Sequence, residues 1–191
     1  MFTGIVKDLG RVKYIRGTVL ALKSRLEGLE TGGSLMVDGV CLTVTELSAS
    51  GVTMDIGRET LAKTSLGNLK AGSEVNLEPA MKLSDPLDGH IVYGHVLGTG
   101  KVESVKHKKN TIIISVKASP EITGKLVEKG SVALNGVSLT VNDIREGFFK
   151  VGIVPETARR TNLGKLNSGS VVNIEPDMLL SAAMSSPRKN V

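Results

Sequence analysis

Short apolar stretches rich in β-branched residues alternate with polar positions through most of the chain. Gly, Asn, Asp or Ser interrupts them at intervals of roughly 8 to 12 residues, a spacing typical of strands joined by tight turns. The pattern predicts an all-β protein with about six strands in each half, and a closed antiparallel barrel hides the strand edges at this size. The predicted strands cover residues 34–38, 41–45, 52–56, 74–78, 111–116, 131–134, 137–141, 148–154 and 170–175.

Helical patterns are few and short. Residues 59–66 and 156–163 are each followed by a Gly and predict one helical turn apiece. Residues 120–130 begin with Pro and close with Gly, which predicts a short helix. Residues 178–184 form an apolar, alanine-bearing run that no strand needs, and we predict a C-terminal helix there that pairs with copies of itself.

The chain contains an internal repeat. Residues 33–81 and 130–178 align without a gap at an offset of 97 and are identical at 21 of 49 positions. A repeat of roughly ninety residues is much longer than the 20 to 50 or so of solenoids and propellers. The repeat therefore predicts two similar domains in tandem, residues 1–87 and 88–177, followed by an oligomerisation helix and tail over residues 178–191.

Composition narrows the class of protein. Hydrophobic residues make up 40% of the chain and aromatic residues only 3%, so two cores must be built largely from aliphatic side chains. No apolar run approaches the roughly 18 residues of a membrane helix, and the first residues lack a signal-peptide pattern, so we expect a cytoplasmic protein with no membrane partner. Cys41 is the single cysteine, which excludes an internal disulfide and any multi-cysteine metal site.

The net charge of +5 and the pI near 9.4 raise the question of nucleic-acid binding. The basic residues are scattered along both halves, and the densest cluster, residues 106–109, has the context of a solvated hairpin tip. Aromatic residues are too few to serve as stacking platforms between the charges. We therefore expect no nucleic-acid partner.

Two groups of side chains could do chemistry. Cys41 and Ser138 occupy equivalent positions in the two copies, and each stands two residues before a threonine, Thr43 and Thr140. Because residues i and i+2 of a strand face the same way, each copy presents a nucleophilic atom beside a hydroxyl. The alternative is that the thiol and the hydroxyl only fill a tight corner of the core.

The second group is a pair of histidines between glycines at the junction of the repeats. His95 aligns at an offset of 90 with Ile5, so the copies match in pattern but differ in the chemistry of this side chain. His90 lies five residues earlier. The alternative is that both are ordinary surface histidines. No third ligand is close in sequence, and we expect no metal site.

These residues together carry a family resemblance. The motifs in question are Met-Phe-Thr-Gly-Ile-Val at residues 1–6, Gly-Val-Cys-Leu-Thr-Val at 39–44, Glu-Thr-Leu at 59–61, Val-Asn-Leu-Glu at 75–78, the Gly-His pairs at 89–90 and 94–95, Gly-Val-Ser-Leu-Thr-Val at 136–141 and Ile-Val-Pro-Glu-Thr at 153–157. In this order they are similar to riboflavin synthase of the α-subunit type. The resemblance covers residues 1–178.

The resemblance implies two tandem six-stranded Greek-key barrels, a homotrimer formed through the C-terminal helix, and a reaction without a cofactor. In that reaction two molecules of 6,7-dimethyl-8-ribityllumazine dismutate to riboflavin and 5-amino-6-(D-ribitylamino)uracil, at a site between the first barrel of one subunit and the second barrel of its neighbour. Whether a lumazine synthase shell encloses the trimer is left open. The competing interpretation is a non-catalytic antenna protein of the same fold that binds a lumazine or flavin.

The resemblance also implies the site residues. Cys41, His95, Ser138, Thr140 and His90 are the expected catalytic residues. The expected residues around the first barrel's site are Gly4, Ile5, Val6, Cys41, Leu42, Thr43, Asp55, Ile56, Gly57, Arg58, Glu59, Thr60, Gly94, His95 and Val96. Those of the second barrel's site are Lys129, Ser138, Leu139, Thr140, Ile153, Val154, Pro155, Glu156, Thr157 and Ala158. Asn135 stands where many members have Asp.

Overall fold

The twelve strands form two closed antiparallel barrels in a computed structural model that describes residues 1–49 and 51–185. The first barrel has the strand order β1-β2-β5-β4-β3-β6 and the second has the equivalent order β7-β8-β11-β10-β9-β12. The strands are β1 Asp8–Arg16, β2 Val19–Lys23, β3 Ser34–Val37, β4 Val40–Ser48, β5 Gly51–Asp55, β6 Glu74–Pro79, β7 Gly98–Lys108, β8 Thr111–Lys117, β9 Ser131–Leu134, β10 Val137–Arg145, β11 Phe148–Ile153 and β12 Val171–Pro176. The prediction of two similar six-stranded barrels is confirmed.

The helices are short, as predicted, but their limits differ from the predicted ones. They are α1 Arg58–Lys63, α2 Pro120–Thr123, α3 Pro155–Arg160 and α4 Met178–Ser185, with 3₁₀ turns at Ser65–Asn68 and Asn162–Lys165. We predicted helix α2 to reach residue 130, and it ends at Thr123. Beyond Thr123 the backbone continues in turns whose hydrogen bonds span three residues, such as the bond from the Leu126 N–H to the Thr123 carbonyl. This turn places the Leu126 side chain in the second core.

Each barrel encloses its own aliphatic core. The alternating positions of the strands place Leu42 and Val44 inside the first barrel, and Leu139 and Val141 inside the second. Strands β1, β2 and β7 were not among the strands singled out from the sequence. Strand β1 is exposed over most of its second half, so its inward-facing positions form only a weak alternating pattern.

Two extended segments connect the barrels to each other. Strap 1, residues 2–6, precedes β1, and strap 2, residues 92–96, occupies the equivalent position before β7. The Phe2 N–H donates to the Val92 carbonyl at 2.7 Å, and the Val92 N–H returns a bond to the Phe2 carbonyl at 3.0 Å. Phe2 and Val92 are fully buried in a small cluster with Met36 and Ala133, one residue from each barrel.

A polar network also joins the barrels. The turns that start at Asp38 and Asn135 are equivalent, and both residues have a φ of 45°. The Asn162 side chain donates from Nδ2 to Asp38 Oδ1 at 2.8 Å and accepts at Oδ1 from Asn76 and Asn135. A single amide therefore serves both turns. The Asn173 side chain adds a bond from its Nδ2 to the Asp38 carbonyl at 2.7 Å.

The domain limits at residues 87, 177 and 191 stay a prediction, because the barrels exchange their straps and residues 186–191 lie outside the described residues. Among the residues that the structure describes, no helix is both long and apolar enough to cross a membrane.

Candidate active site

Strands β4 and β10 present the four side chains that the repeat singled out. Leu42 is buried, whereas Cys41 is partly exposed and Thr43 exposed. The same arrangement recurs in β10, where Leu139 is buried, Ser138 is partly exposed and Thr140 is exposed. Each thiol or hydroxyl thus lies on the outer face of its barrel wall, on the same side as the threonine two residues later.

A cleft of about 270 Å³ lies over Cys41. Strap 2 forms one wall through Gly94, His95 and Val96, and helix α1 forms another. The cleft brings together six predicted site residues, Cys41, Glu59, Thr60, Gly94, His95 and Val96, and three that the sequence did not single out, Val40, Lys63 and Thr64. The spacing of Lys63, four residues after Glu59, would have placed both on one side of the short helix.

Charges in this cleft are paired. Lys63 Nζ lies 2.7 Å from Glu59 Oε1. The pair lowers the pKa of Glu59 and raises the pKa of Lys63 through their hydrogen bond. Thr64 Oγ1 donates to the Thr60 carbonyl and accepts from the Leu66 N–H, so it ends the helix and starts the 3₁₀ turn. The cleft therefore offers both charge signs and hydroxyls to a polar ligand.

The structure places strap 1 on the second barrel, and the expectation that Gly4, Ile5 and Val6 surround the first barrel's site is wrong as to their location. The Gly4 carbonyl accepts from the Ser138 N–H at 2.8 Å, and Val6 is buried in the second core. The straps are exchanged, because the backbone that enters each barrel passes over the other barrel first. Their contact with substrate stays a prediction.

A buried histidine accompanies Ser138. His90 is only 8% exposed, its N–H donates to the Thr3 carbonyl at 3.1 Å, and its Nδ1 lies 2.7 Å from Ser138 Oγ. Burial lowers the pKa of His90, so the imidazole is neutral near pH 7. The other ring nitrogen, Nε2, is buried and has no hydrogen-bond partner among the residues that the structure describes. Such an atom is rare in native structures.

The first barrel has a different histidine. His95 is exposed, and its ring stacks on Tyr93 with 6.1 Å between the centroids. Both residues belong to strap 2. Among the described residues, no group of three or more His, Cys, Asp or Glu side chains could hold a metal ion.

The other predicted residues lie at the ends of strands and in the short helices. Asp55 ends β5, Ile56 is buried in the first core, and Gly57 is the residue before α1, which begins at Arg58. The equivalent set in the second barrel is Ile153, which is buried, Val154, which precedes α3, and Pro155, Glu156, Thr157 and Ala158 within that helix.

Lys129 and Asn135 have unusual backbones. Lys129 is exposed with a φ of 66°, whereas its counterpart in the first barrel is Gly32 with a φ of 85°. A side chain in this region is strained, and strain of this kind clusters at functional sites. Asn135 belongs to the polar network between the barrels and lines a separate groove with Asp38. The residues that line the Cys41 cleft do not include Asn135.

The fold is a duplicated barrel in which a strap from each copy crosses the Cys41 or Ser138 position of the other. The lumazine binding domain model matches residues 3–80 and 93–177, once per barrel. The chain belongs to this lumazine-binding family.

The curated relatives narrow the class further. Riboflavin synthase of Actinobacillus pleuropneumoniae is 41% identical over 186 residues, covering 94% of this chain and 86% of the relative. The riboflavin synthases of Chlamydia pneumoniae and Bacillus subtilis are 41% and 38% identical over 185 residues, covering 93% and 94% of this chain and 90% and 86% of the relatives. The chain is therefore an enzyme of the riboflavin synthase type.

Solved structures of LumP share the fold. The complex of LumP with 6,7-dimethyl-8-(1'-D-ribityl) lumazine is 26% identical with a TM-score of 0.83, covering 92% of this chain and 99% of that one. The complex of LumP with riboflavin gives the same identity and coverage and a TM-score of 0.84.

Proposed function

We propose that this chain catalyses the dismutation of two molecules of 6,7-dimethyl-8-ribityllumazine. One molecule donates a four-carbon unit to the other, and the products are riboflavin and 5-amino-6-(D-ribitylamino)uracil. The atoms of the two substrates equal those of the two products, so the reaction needs no oxidant, reductant or cofactor.

The observation that carries the proposal is the equivalence of Cys41 and Ser138. Each stands at the same position of its barrel and is crossed by the strap of the other barrel. His95 lines the cleft over Cys41, and His90 is hydrogen-bonded to Ser138. A reaction between two copies of one molecule suits two related pockets. Holding both copies in a fixed orientation supplies several kcal/mol of the barrier, because the encounter entropy is lost on binding.

The remaining barrier is proton transfer. The 7-methyl group of the lumazine is acidic because its carbanion delocalises into the ring, and catalysis needs a base for this methyl and a nucleophile or water at C7 of the acceptor. The neutral imidazole of His90, hydrogen-bonded to Ser138, suits proton transfer at the second barrel. His95 suits the same task at the first barrel, where Cys41 supplies a sulfur atom. Thr140 and Thr43 provide hydroxyls for the ribityl chain.

We also propose a homotrimer that works in the cytoplasm. Helix α4 packs Leu180 near Gly130 but leaves Met178, Leu179 and Met184 about half exposed, at 48%, 57% and 53%. A partner copy would cover these side chains and bring the first barrel of one subunit to the second barrel of the next. Removing residues 179–191 should then lower the mass measured by light scattering together with the activity. Unchanged mass would contradict this role for the helix.

The experiment that tests the reaction is incubation of the purified protein with the lumazine, followed by chromatography of both products. Equal amounts of riboflavin and the pyrimidinedione, one of each per two lumazines, are expected. The similarity to LumP favours a second candidate, a protein that binds lumazine or flavin without converting it. Tight binding with no riboflavin formed would establish that alternative.

A further inference from the structure

Two buried glutamates hold the straps in place. Glu78 of β6 accepts two backbone hydrogen bonds from strap 1. Its Oε1 accepts from the Thr3 N–H at a distance of 2.7 Å, and its Oε2 accepts from the Gly4 N–H at 3.0 Å. Glu175 of β12 does the same in the second copy, where Oε1 accepts from the Tyr93 N–H at 2.7 Å and Oε2 from the His95 N–H at 2.8 Å. Each carboxylate is 2% exposed, and both of its oxygens bind backbone of a single strap.

These bonds are of a strong kind. Hydrogen bonds to an ionised carboxylate are shorter and stronger than neutral ones, and two bonds from neighbouring residues fix both the position and the direction of a segment. Burial raises the pKa of both carboxyls, while the N–H groups oppose the rise. The bonded geometry favours the ionised form, since only a carboxylate accepts at both oxygens.

Each glutamate belongs to one barrel, whereas its strap lies over the Cys41 or Ser138 residue of the other. Glu78 of the first barrel holds strap 1, whose Gly4 carbonyl accepts the Ser138 N–H of the second barrel at 2.8 Å. In the same way, Glu175 of the second barrel holds strap 2, whose Gly94 carbonyl accepts the Cys41 N–H of the first barrel at 2.9 Å.

The straps cannot shift without changing the surroundings of Cys41 and Ser138. A Cβ placed on Gly94 would lie 2.5 Å from the Cys41 Cβ, and one placed on Gly4 would lie 2.6 Å from the Ser138 Cβ. Such distances mean direct backbone packing on the two nucleophilic residues. A displaced strap therefore changes both the exposure of the nucleophile and the position of the residues that follow the glycine.

We infer that Glu78 and Glu175 are positioning residues that act crosswise between the barrels. Glu175 sets strap 2, and with it His95, over the Cys41 pocket. Glu78 sets strap 1 over Ser138. The setting of each nucleophilic residue thus depends on a carboxylate that is rooted in the opposite barrel. The activity readout of this inference rests on the proposed function, but its direct readout does not.

The direct readout is the thiol of Cys41, the single cysteine of the chain. Glu175→Gln keeps the size of the side chain but replaces one carboxylate oxygen by an amide NH₂. One of the two strap N–H groups therefore loses its acceptor. We expect alkylation of Cys41 by iodoacetamide to become about tenfold faster, the factor that corresponds to losing one such bond. Glu78→Gln should leave the alkylation rate within about twofold of the parent.

The matched control is Asp8→Asn in the first barrel. Asp8 is a buried carboxylate that accepts the Arg25 N–H at 2.8 Å and a bond from Ser24, but it touches no strap. Its loss should lower stability without speeding alkylation. Faster alkylation in Glu78→Gln and Asp8→Asn than in Glu175→Gln would overturn the inference, because it would mean that Cys41 reports loosening of its own barrel.

Two further measurements complete the test. Amide hydrogen exchange of the unaltered protein should show Tyr93 and His95 losing protection as the pH falls through the raised pKa of Glu175. Retained protection in the acid range would contradict the inference even if Glu175→Gln does not fold. In lumazine turnover, Glu175→Gln should lower kcat about tenfold or more, since His95 is displaced. If the unaltered protein forms no riboflavin, the proposed function fails while the alkylation comparison still decides the crosswise inference.

Discussion

Cys41 and Ser138 occupy the same position on equivalent strands, yet the two barrels surround them with different histidines. The histidine of the first barrel's pocket, His95, is exposed and belongs to the strap itself. The histidine of the second barrel, His90, is buried and hydrogen-bonded to Ser138. Its burial lowers the pKa of the imidazole. One backbone plan therefore carries two imidazoles in different settings, which suits the proposed reaction, in which one bound molecule donates and the other accepts.

A second difference lies in the turns. Asp38 and Asn135 have the same backbone conformation, and each accepts the N–H of an equivalent asparagine, Asn76 or Asn173. Burial raises the pKa of Asp38 to about 7, and the partners of its carboxyl among the described residues are the neutral Asn76 N–H and Asn162 amide. The network thus carries a single titrating group between the barrels where a symmetric pair of aspartates would carry two. The two turns therefore share one backbone conformation but differ in the charge that they can carry.

The largest effect is expected from adding a side-chain atom where a strap glycine packs directly on Cys41 or Ser138. Gly94→Ala should lower lumazine kcat/KM about a hundredfold, because the added Cβ displaces strap 2 from Cys41 by the order of an ångström. Gly4→Ala should act as strongly through Ser138. The control is Gly28→Ala, which has a positive φ of 71° but nothing within 4 Å of the added Cβ. Parent-like activity in Gly94→Ala would refute the close packing of the strap.

Asp38→Asn makes the first turn resemble the second. A carboxyl whose pKa is raised in the folded state stabilises the fold fully below its usual value of 3.8, and that contribution is lost as the pH rises through about 7. We expect the variant to equal the parent near pH 4 and to exceed it by about 2 kcal/mol at pH 8 in urea unfolding. A constant difference across this range would show that Asp38 does not titrate there.

The two histidines separate in a pair of substitutions. His95→Gln keeps a hydrogen-bonding side chain but removes the imidazole, and we expect roughly tenfold lower turnover, at the low end of general acid-base catalysis. His90→Gln should also lower turnover, and it should remove a loss of activity that sets in as the pH falls through the depressed pKa of His90. Parent rates for both variants from about pH 6 to 8 would mean that orientation alone drives the reaction.

The smallest effect is expected at Lys129. Lys129→Gly introduces the residue that the first barrel has at this turn, and relief of the positive φ should stabilise the fold by about 1 kcal/mol. If the lysine binds substrate, KM should rise while the melting temperature also rises. A variant that is more stable with an unchanged KM would remove Lys129 from the site.

Much of the fold was predictable because the repeat supplied two readings of one pattern. The strands from β3 to β6 and from β8 to β12 stood out by their apolar alternation, and the equivalence of Cys41 with Ser138 followed from a gapless alignment. Strand β1 did not stand out, because much of its second half is exposed and carries charge. The site assigned to strap 1 was wrong, since alignment relates positions within a barrel and contains no information on which barrel a connecting segment covers.

The sequence by itself determined that there are two similar domains, that Cys41 and Thr43 share one face of their strand, and that His95 differs from Ile5, because period, identity and spacing are local properties of the chain. Only the tertiary structure decided that each strap crosses to the other barrel, that His90 meets Ser138 and that Glu78 and Glu175 anchor the straps. These contacts join residues that lie from 48 positions apart, for His90 and Ser138, to 134 positions apart, for Gly4 and Ser138. Their formation depends on the packing of one barrel against the other, which no local pattern encodes.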